Sequence, residues 1–479
     1  MIRPLALLSM MLISSLSYSQ NTYKLDFTVK GIKPGPVYLG FYLQEKTFAT
    51  DTTEANPSGI FSFTGTKKLA HGIYFLLQDG NLLFDFIIGN DQEFAIETSS
   101  EDYIKNMLVK GDDDNRLYLE NRKLLMEAQK SIEPQIKILK DSTAAPEAKK
   151  EANKVYEETG KTVLAQQEKI IQSNPTSVTA RLLKMHKPIN VPEPPKKADG
   201  SIDSTFQLRY YKQHYFDNFG LGDEVTLRVP KVVYWEKVQN YLDKLFIQQP
   251  DTLVKELDKL IKLAKPNQDT YKYLVWNAIV YYQNHSIMGL DQVYVKLVDK
   301  YITSGEMDYW LDKKTVSNMK DYAGKLRRAP IGTKAPNLIM QDAQLQPKSM
   351  YDIKSKYTVL FFFKPSCGHC REETPKLVSL YNAKKKALNF DVFAVSTDTT
   401  MKEMKDFIRD FKTPWTTVNG PRSYIKEHFS KLYYAELTPT VYVLDQNKKI
   451  IARRIDVEQI DDFLENYEKM LARKGGPTP

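Results

Sequence analysis

The run Tyr357 to Phe363 carries no polar alternation after Thr358, and Lys364-Pro365-Ser366-Cys367-Gly368-His369-Cys370 follows it at once. An unbroken apolar run of this length is a strand buried on both faces, the central strand of a sheet covered by helices. Phe390 to Val395 and Thr440 to Leu444 read the same way. Helical patterns are predicted over Cys367–Lys385, Met401–Phe411 and Ile460–Ala472, between and after these strands. From Ala329 onward the alternation is therefore that of an α/β domain.

The chain has two cysteines, and both lie in this segment, three residues apart. Following a strand and opening a helix, the first cysteine falls at the helix N-terminus. There, unpaired backbone N–H groups and the helix dipole favour a thiolate. Cys370 is one turn further along, within disulfide reach. Cys367 is then the nucleophile of a thiol–disulfide exchange and Cys370 the resolving thiol. His369 adds partial positive charge beside the pair and favours the Cys367 thiolate.

Three other uses of such a pair carry less weight. Structural zinc needs about four ligands, and no second cysteine pair exists. A purely structural disulfide across so short a loop removes little chain entropy. A peroxidatic cysteine sits in a PxxxTxxC pattern, whereas Leu360 and Lys364 occupy the Pro and Thr positions here.

The segment from about Ala329 to Ala472, close to a third of the chain, resembles the TlpA/ResA-like branch of the thioredoxin superfamily. Gly332-Thr333-Lys334-Ala335-Pro336-Asn337 is similar to the motif that opens that branch. Glu373, three residues after Cys370, matches a family glutamate implicated in proton handling. Pro375 matches the proline that kinks the active-site helix, and Trp415 an aromatic common before the third strand. Thr438-Pro439-Thr440 matches the loop whose cis-proline faces the CxxC pair. The resemblance implies a thioredoxin fold, catalytic roles for Cys367, Cys370 and Glu373, and redox tuning by Gly368, His369, Thr438 and Pro439. It departs at two positions: Ser366 replaces the usual Trp, and Phe361 stands where many thioredoxins carry a buried aspartate. Glu373 is the natural substitute proton carrier; its plainer reading is a first-turn acid that complements the helix dipole. Gly368-His369 resembles the dipeptide of protein disulfide isomerases, a more oxidising couple, while the TlpA/ResA branch consists mostly of reductants recharged by a membrane donor. The direction of electron flow stays open.

Upstream, residues 20–110 read as short strands separated by turn residues, the pattern of a β-sandwich. Leu25, Phe27 and Val29 alternate with polar neighbours, as do Phe61 and Phe63; Val37 to Leu43, Ile73 to Leu77, Leu82 to Ile88 and Phe94 to Ile96 are further runs. Residues 111–328 read as an all-α domain. Asp112-Asp113-Asp114 lacks the EF-hand pattern and is expected to cap its first helix. A second helix is predicted from about Ala145 to Ile171, with a proline-rich loop from Lys187 to Ser204. The aromatics beyond, among them Trp235, Tyr241, Tyr271, Trp276, Tyr282 and Trp310, are expected to form core. These two regions resemble modules of unknown function that precede such thioredoxin domains in envelope proteins of Bacteroidetes-type bacteria. Residues 329–479 form the thioredoxin-like domain.

Residues 1–19 have the form of a secretory signal peptide: Arg3, an apolar stretch from Leu5 to Leu16, then Ser17 and Ser19 ahead of Gln20. The expected location is the periplasm, with no membrane-spanning segment in the mature chain. The formal net charge of +9 is interleaved with acids throughout, which does not make the basic stripe a nucleic-acid partner would need. The expected function is a periplasmic thiol–disulfide oxidoreductase. Its partners are client protein thiols or disulfides and a membrane redox donor or acceptor. No metal or organic cofactor is required. The alternative is an envelope protein that binds or scaffolds clients, with the thioredoxin part accessory.

Overall fold

The computed structural model describes residues 22–196, 199–397 and 400–474. The predicted signal peptide lies outside the described residues. Among the described residues eight strands come first: Tyr23–Lys30 (β1), Gly35–Leu43 (β2), Lys46–Ala55 (β3), Ile60–Gly65 (β4), Gly72–Gln78 (β5), Asn81–Ile88 (β6), Glu93–Ser99 (β7) and Leu108–Lys110 (β8). They form two four-stranded sheets, ordered β4-β1-β7-β8 and β3-β2-β5-β6. Leu25, Phe27, Phe63 and Ile96 from the first sheet pack with Val37, Leu39, Leu76 and Phe86 from the second, so the module is a sandwich around one core. The period-two burial of β1 and β4 is the alternation legible in their sequences.

Among the described residues nine α-helices follow: Asp113–Lys140 (α1), Pro146–Ser173 (α2), Val178–Met185 (α3), Phe206–His214 (α4), Tyr234–Leu245 (α5), Pro250–Ala264 (α6), Gln268–Gln283 (α7), Asp291–Leu297 (α8) and Lys313–Leu326 (α9). Asp112 caps α1, its carboxylate accepting from the N–H groups of Asp114 (3.2 Å) and Asn115 (2.9 Å). Of the aromatics expected to form core, Tyr241, Tyr271 and Tyr282 are buried, whereas Trp235, Trp276 and Trp310 are half-buried. The chain divides into two compact units. One runs to Leu245 and takes in Leu260–Tyr271; the other comprises Phe246–Lys259 and everything from Lys272 onward. The helical stretch therefore contributes to both. Among the described residues no helix is long and apolar enough to cross a membrane.

The last part contains Ile339–Asp342 (β9), Pro347–Ser349 (β10), Tyr357–Phe363 (β11), Gly368–Leu388 (α10), Phe390–Ser396 (β12), Met401–Phe411 (α11), Thr416–Ser423 (β13), Phe429–Leu432 (α12), Thr440–Leu444 (β14), Ile450–Arg453 (β15) and Ile460–Lys474 (α13). Its seven-stranded sheet has the order β10-β9-β13-β12-β11-β14-β15. β11 is interior and buried at every residue, as its composition requires. Its odd-numbered residues face a core shared with Leu377 of α10, Phe407 of α11 and Leu464 of α13. Leu360 and Phe362 face a second core with Phe429, Tyr433 and Tyr442. β11 runs parallel to β12 and antiparallel to β14, with Phe362 opposite Thr440. That register brings the end of β11 beside the start of β14. The CxxC segment that follows the one thereby meets the Thr438-Pro439 loop that precedes the other.

Candidate active site

Cys367 is the N-cap of α10, in extended conformation (φ −80°, ψ 124°), and no side chain caps the helix in its place. The turn before it is closed by the Cys367 N–H donating to the Lys364 carbonyl at 3.0 Å, and the helix begins with the Arg371 N–H donating to the Cys367 carbonyl at 3.2 Å. The Cys367 sulfur is therefore left at the positive end of a 21-residue helix. It is partly exposed, whereas Cys370, one turn on, is fully buried; both are free thiols. This difference follows from α10 packing on the sheet, which turns position 370 inward among the aromatics of β11.

The two sulfurs have opposite electrostatics. Partial burial opposes ionisation of Cys367, but the N–H of Cys370, the Cys370 thiol, the Thr438 side chain and the N–H of His369 all favour its anion. Together they hold it below the ordinary thiol range. Burial dominates at Cys370 and pushes it up to about 12, against the Lys364 N–H, which donates to its sulfur at 3.5 Å, and the Thr438 side chain. Thr438 serves both cysteines, and its carbonyl accepts from the Cys367 Sγ at 3.3 Å. The Thr438–Pro439 bond is cis.

The other residues singled out from sequence occupy distinct places. The His369 side chain is 83% exposed and its Nδ1 lies 3.4 Å from Glu372; what it offers Cys367 is its backbone N–H. Gly368 has open space where a Cβ would stand, so glycine is not demanded there by crowding. Glu373 pairs with Lys376 at 2.8 Å, and Lys376 also reaches Glu458 at 2.7 Å. Among the described residues, neither cysteine is a hydrogen-bond partner of Glu373. Pro375 lies inside α10 and has no N–H to offer the Arg371 carbonyl. Phe361 stacks on Phe363 with centroids 5.7 Å apart, so β11 brings no carboxylate to the pair.

Sequence reasoning missed Lys364 and Arg371. Lys364 contributes only backbone groups, which no side-chain pattern reveals. Arg371 donates to the Pro365 carbonyl at 3.4 Å and lies over the Phe411 ring at 4.9 Å, bracing the CxxC turn against α11. Its position directly after the second cysteine was the available signal. No group of three or more His, Cys, Asp or Glu side chains that could hold a metal ion occurs among the described residues.

Two family profiles match the chain. The AhpC/TSA family matches residues 331–453, and a domain of unknown function, DUF5106, matches residues 159–325. The human protein Nucleoredoxin is 27% identical over 111 residues, 23% of this chain and 25% of its own length. A thioredoxin-like protein of Haemophilus influenzae is 27% identical over 125 residues, 26% of this chain and 70% of its own length. The chain spans a quarter or less of the nucleoredoxins it matches. Among solved structures, a domain of a possible thiol-disulfide isomerase from Cytophaga hutchinsonii is 41% identical, covering 31% of this chain and 99% of that one, with a TM-score of 0.29. The sequence match over residues 331–453, the CxxC turn at the head of α10 and the interior strand β11 agree with one another. Residues 331–453 thus form a thioredoxin-like domain of the AhpC/TSA family at the C-terminal end of the chain.

Proposed function

We propose that the chain is a thiol–disulfide oxidoreductase that works on client proteins outside the cytoplasm through Cys367 and Cys370. The observation that carries this reading is the asymmetry of the pair. One thiol is accessible and biased toward its anion; the other is buried one turn away and held protonated. A structural disulfide needs no such difference.

In the reducing direction the Cys367 thiolate attacks a client disulfide. A Cys367–client S–S bond forms, the client S–S bond breaks, and the leaving client thiolate takes up a proton. Cys370 loses its proton and attacks Cys367, closing the Cys367–Cys370 disulfide and releasing the second client thiol. Two electrons pass to the client, and a membrane redox donor restores the dithiol. The oxidising direction is the same sequence reversed, with a membrane acceptor. Which direction prevails depends on the potential of the pair relative to these partners. The Thr438–Pro439 loop, beside Cys367, offers the surface for the client peptide. Because Cys370 is raised so far, its deprotonation is the demanding step, and Glu373 on the next turn is assigned to it as proton carrier. The periplasmic location rests on the sequence of residues 1–19.

Replacing Cys370 with Ser is expected to trap a client as a mixed disulfide on Cys367, visible on a non-reducing gel. Replacing Cys367 with Ser is expected to trap none. Equal trapping by both variants would refute the assignment of roles. With both cysteines present, the Glu373→Gln variant is expected to slow resolution of the mixed disulfide about 100-fold, the low end of the usual span for general acid–base groups, while leaving Cys367 alkylation unchanged.

A further inference from the structure

The loop that faces Cys367 receives its support from outside the α/β domain. Ala435 and Thr440 are buried; between them Glu436 and Leu437 are exposed, Leu437 by 65%, and Thr438 and Pro439 are half-buried. Glu436 is the tethered side chain of this stretch. Lys325, in the last turn of α9, reaches its Oε2 at 2.5 Å, and Arg328, just past α9, reaches its Oε1 at 3.2 Å. Arg328 also donates to the Ser430 carbonyl at 2.6 Å. Tyr322 of the same helix lies edge-on to Tyr434, centroids 6.3 Å apart, and the Arg454 guanidinium sits over the Tyr434 ring at 5.4 Å. Thus α9 and Arg328 just past it engage the segment at three residues, Ser430, Tyr434 and Glu436, and the last of these is two residues from Thr438.

We propose that Lys325 and Arg328 are positioning residues for the redox pair: through Glu436 they hold the Leu437-Thr438-Pro439 loop at the distance from Cys367 that the exchange reaction uses. The inference rests on the redox reading above and gives the helical region a part in it. Half-exposed ion pairs add little to overall stability, so the value of this one lies in geometry. The Thr438 carbonyl lies 3.3 Å from the Cys367 sulfur, and the Thr438 side chain serves both sulfurs. A loop free to drift by an ångström loses the Thr438 side-chain contact that favours the Cys367 anion, because hydrogen bonds to sulfur weaken quickly with distance and angle. The carboxylate of Glu436 is held below its usual range, first by the hydrogen bond from Lys325, with Arg328 adding to it. The tether is therefore intact at neutral pH and is lost only as Glu436 protonates in acid.

The test uses the full chain and the variants Glu436→Gln and Lys325→Met; the second leaves Arg328 on the Ser430 carbonyl. Two quantities are read: hydrogen exchange at the amides of Leu437 and Thr438, and the pH midpoint of Cys367 alkylation. Both variants are expected to exchange faster at these amides. They are also expected to raise the midpoint enough to slow alkylation about threefold at neutral pH, half a pKa unit. Lys325→Arg is expected to restore both. If Glu436→Gln fails to fold, Lys325→Met decides alone. An unchanged alkylation midpoint, with or without faster amide exchange, overturns the proposal. Wild-type protein that exchanges no disulfide would refute the redox reading instead, and this test would still decide, because alkylation requires no client.

Discussion

Cys367 and Cys370 are separated by a single helical turn, yet the chain treats them as different chemical groups. N–H groups of the first turn and the Thr438 side chain favour the anion at Cys367, while burial in the core beneath β11 keeps Cys370 a thiol with a value near 12. For an acid lowered in the folded state, reactivity of the thiolate rises as pH passes the folded value and stays high above it. Alkylation of the reduced protein with limiting iodoacetamide at neutral pH is therefore expected to modify Cys367 alone, as mapped by mass spectrometry. Equal labelling of both cysteines would contradict the asymmetry. At this scale the sequence was highly informative for the sulfurs, because CxxC after an apolar strand and before a helix admits few geometries. It was less informative for His369. A histidine between two cysteines suggests a charge on the pair, but the first helical turn points that side chain to solvent, and only its backbone reaches the sulfur. Glu373 shows the same limit: spacing put it on the right helix, but its salt bridge to Lys376 could not be read from position alone.

At the scale of elements, β11 carries the α/β domain. Phe363 is buried, stacked on Phe407 with centroids 4.5 Å apart, and placed at the end of the strand where the CxxC turn begins. Phe363→Ala is expected to cost about 3–5 kcal/mol, the usual range for emptying a buried aromatic site, measured by urea unfolding. A loss under about 1 kcal/mol would mean the strand is not the pillar described here. Helix α1 makes a second case. Asp112 caps it while itself buried, so Asp112→Ala is expected to speed hydrogen exchange at Asp114 and Asn115, with about 1 kcal/mol lost; unchanged exchange at these amides would contradict the cap. Both β11 and the start of α1 were legible, one from an unbroken apolar run and the other from a cap residue ahead of a periodic segment. β3 was not. Its residues, Lys46 to Ala55, are mostly polar and exposed, because it is an edge strand paired to β2 alone. An edge strand of this kind need not alternate, so periodicity gives no signal.

For the molecule as a whole, the helical region does not end where the α/β domain begins. Arg453 of β15 is buried, pairs with Asp291 of α8 and donates to the carbonyls of Leu326 (3.0 Å) and Arg328 (3.3 Å). A fragment beginning at Ala329 strips this cation of its carboxylate. It is expected to unfold at lower urea than the same domain in the full chain. Asp291→Ala in the full chain should reproduce much of the loss, about 3–5 kcal/mol for a buried charge left without its partner. Equal stability of fragment and full chain would show that Arg453 finds water instead. The same fragment also weighs the scaffold alternative. If it exchanges disulfides with a natural client as fast as the full chain, the upstream regions do not select clients. None of these contacts was visible in the sequence, since Asp291 and Arg453 stand far apart in the chain and neither belongs to a motif.

If Cys367 and Cys370 form one reversible redox couple, equilibrating the full chain in glutathione buffers reveals it. A single two-electron transition is expected, in which two thiols disappear together, with a midpoint between about −270 and −180 mV, the span from thioredoxin to protein disulfide isomerase, and with no transition in either single Cys→Ser variant. A pair that stays oxidised in every glutathione buffer, as structural disulfides below about −300 mV do, would contradict it.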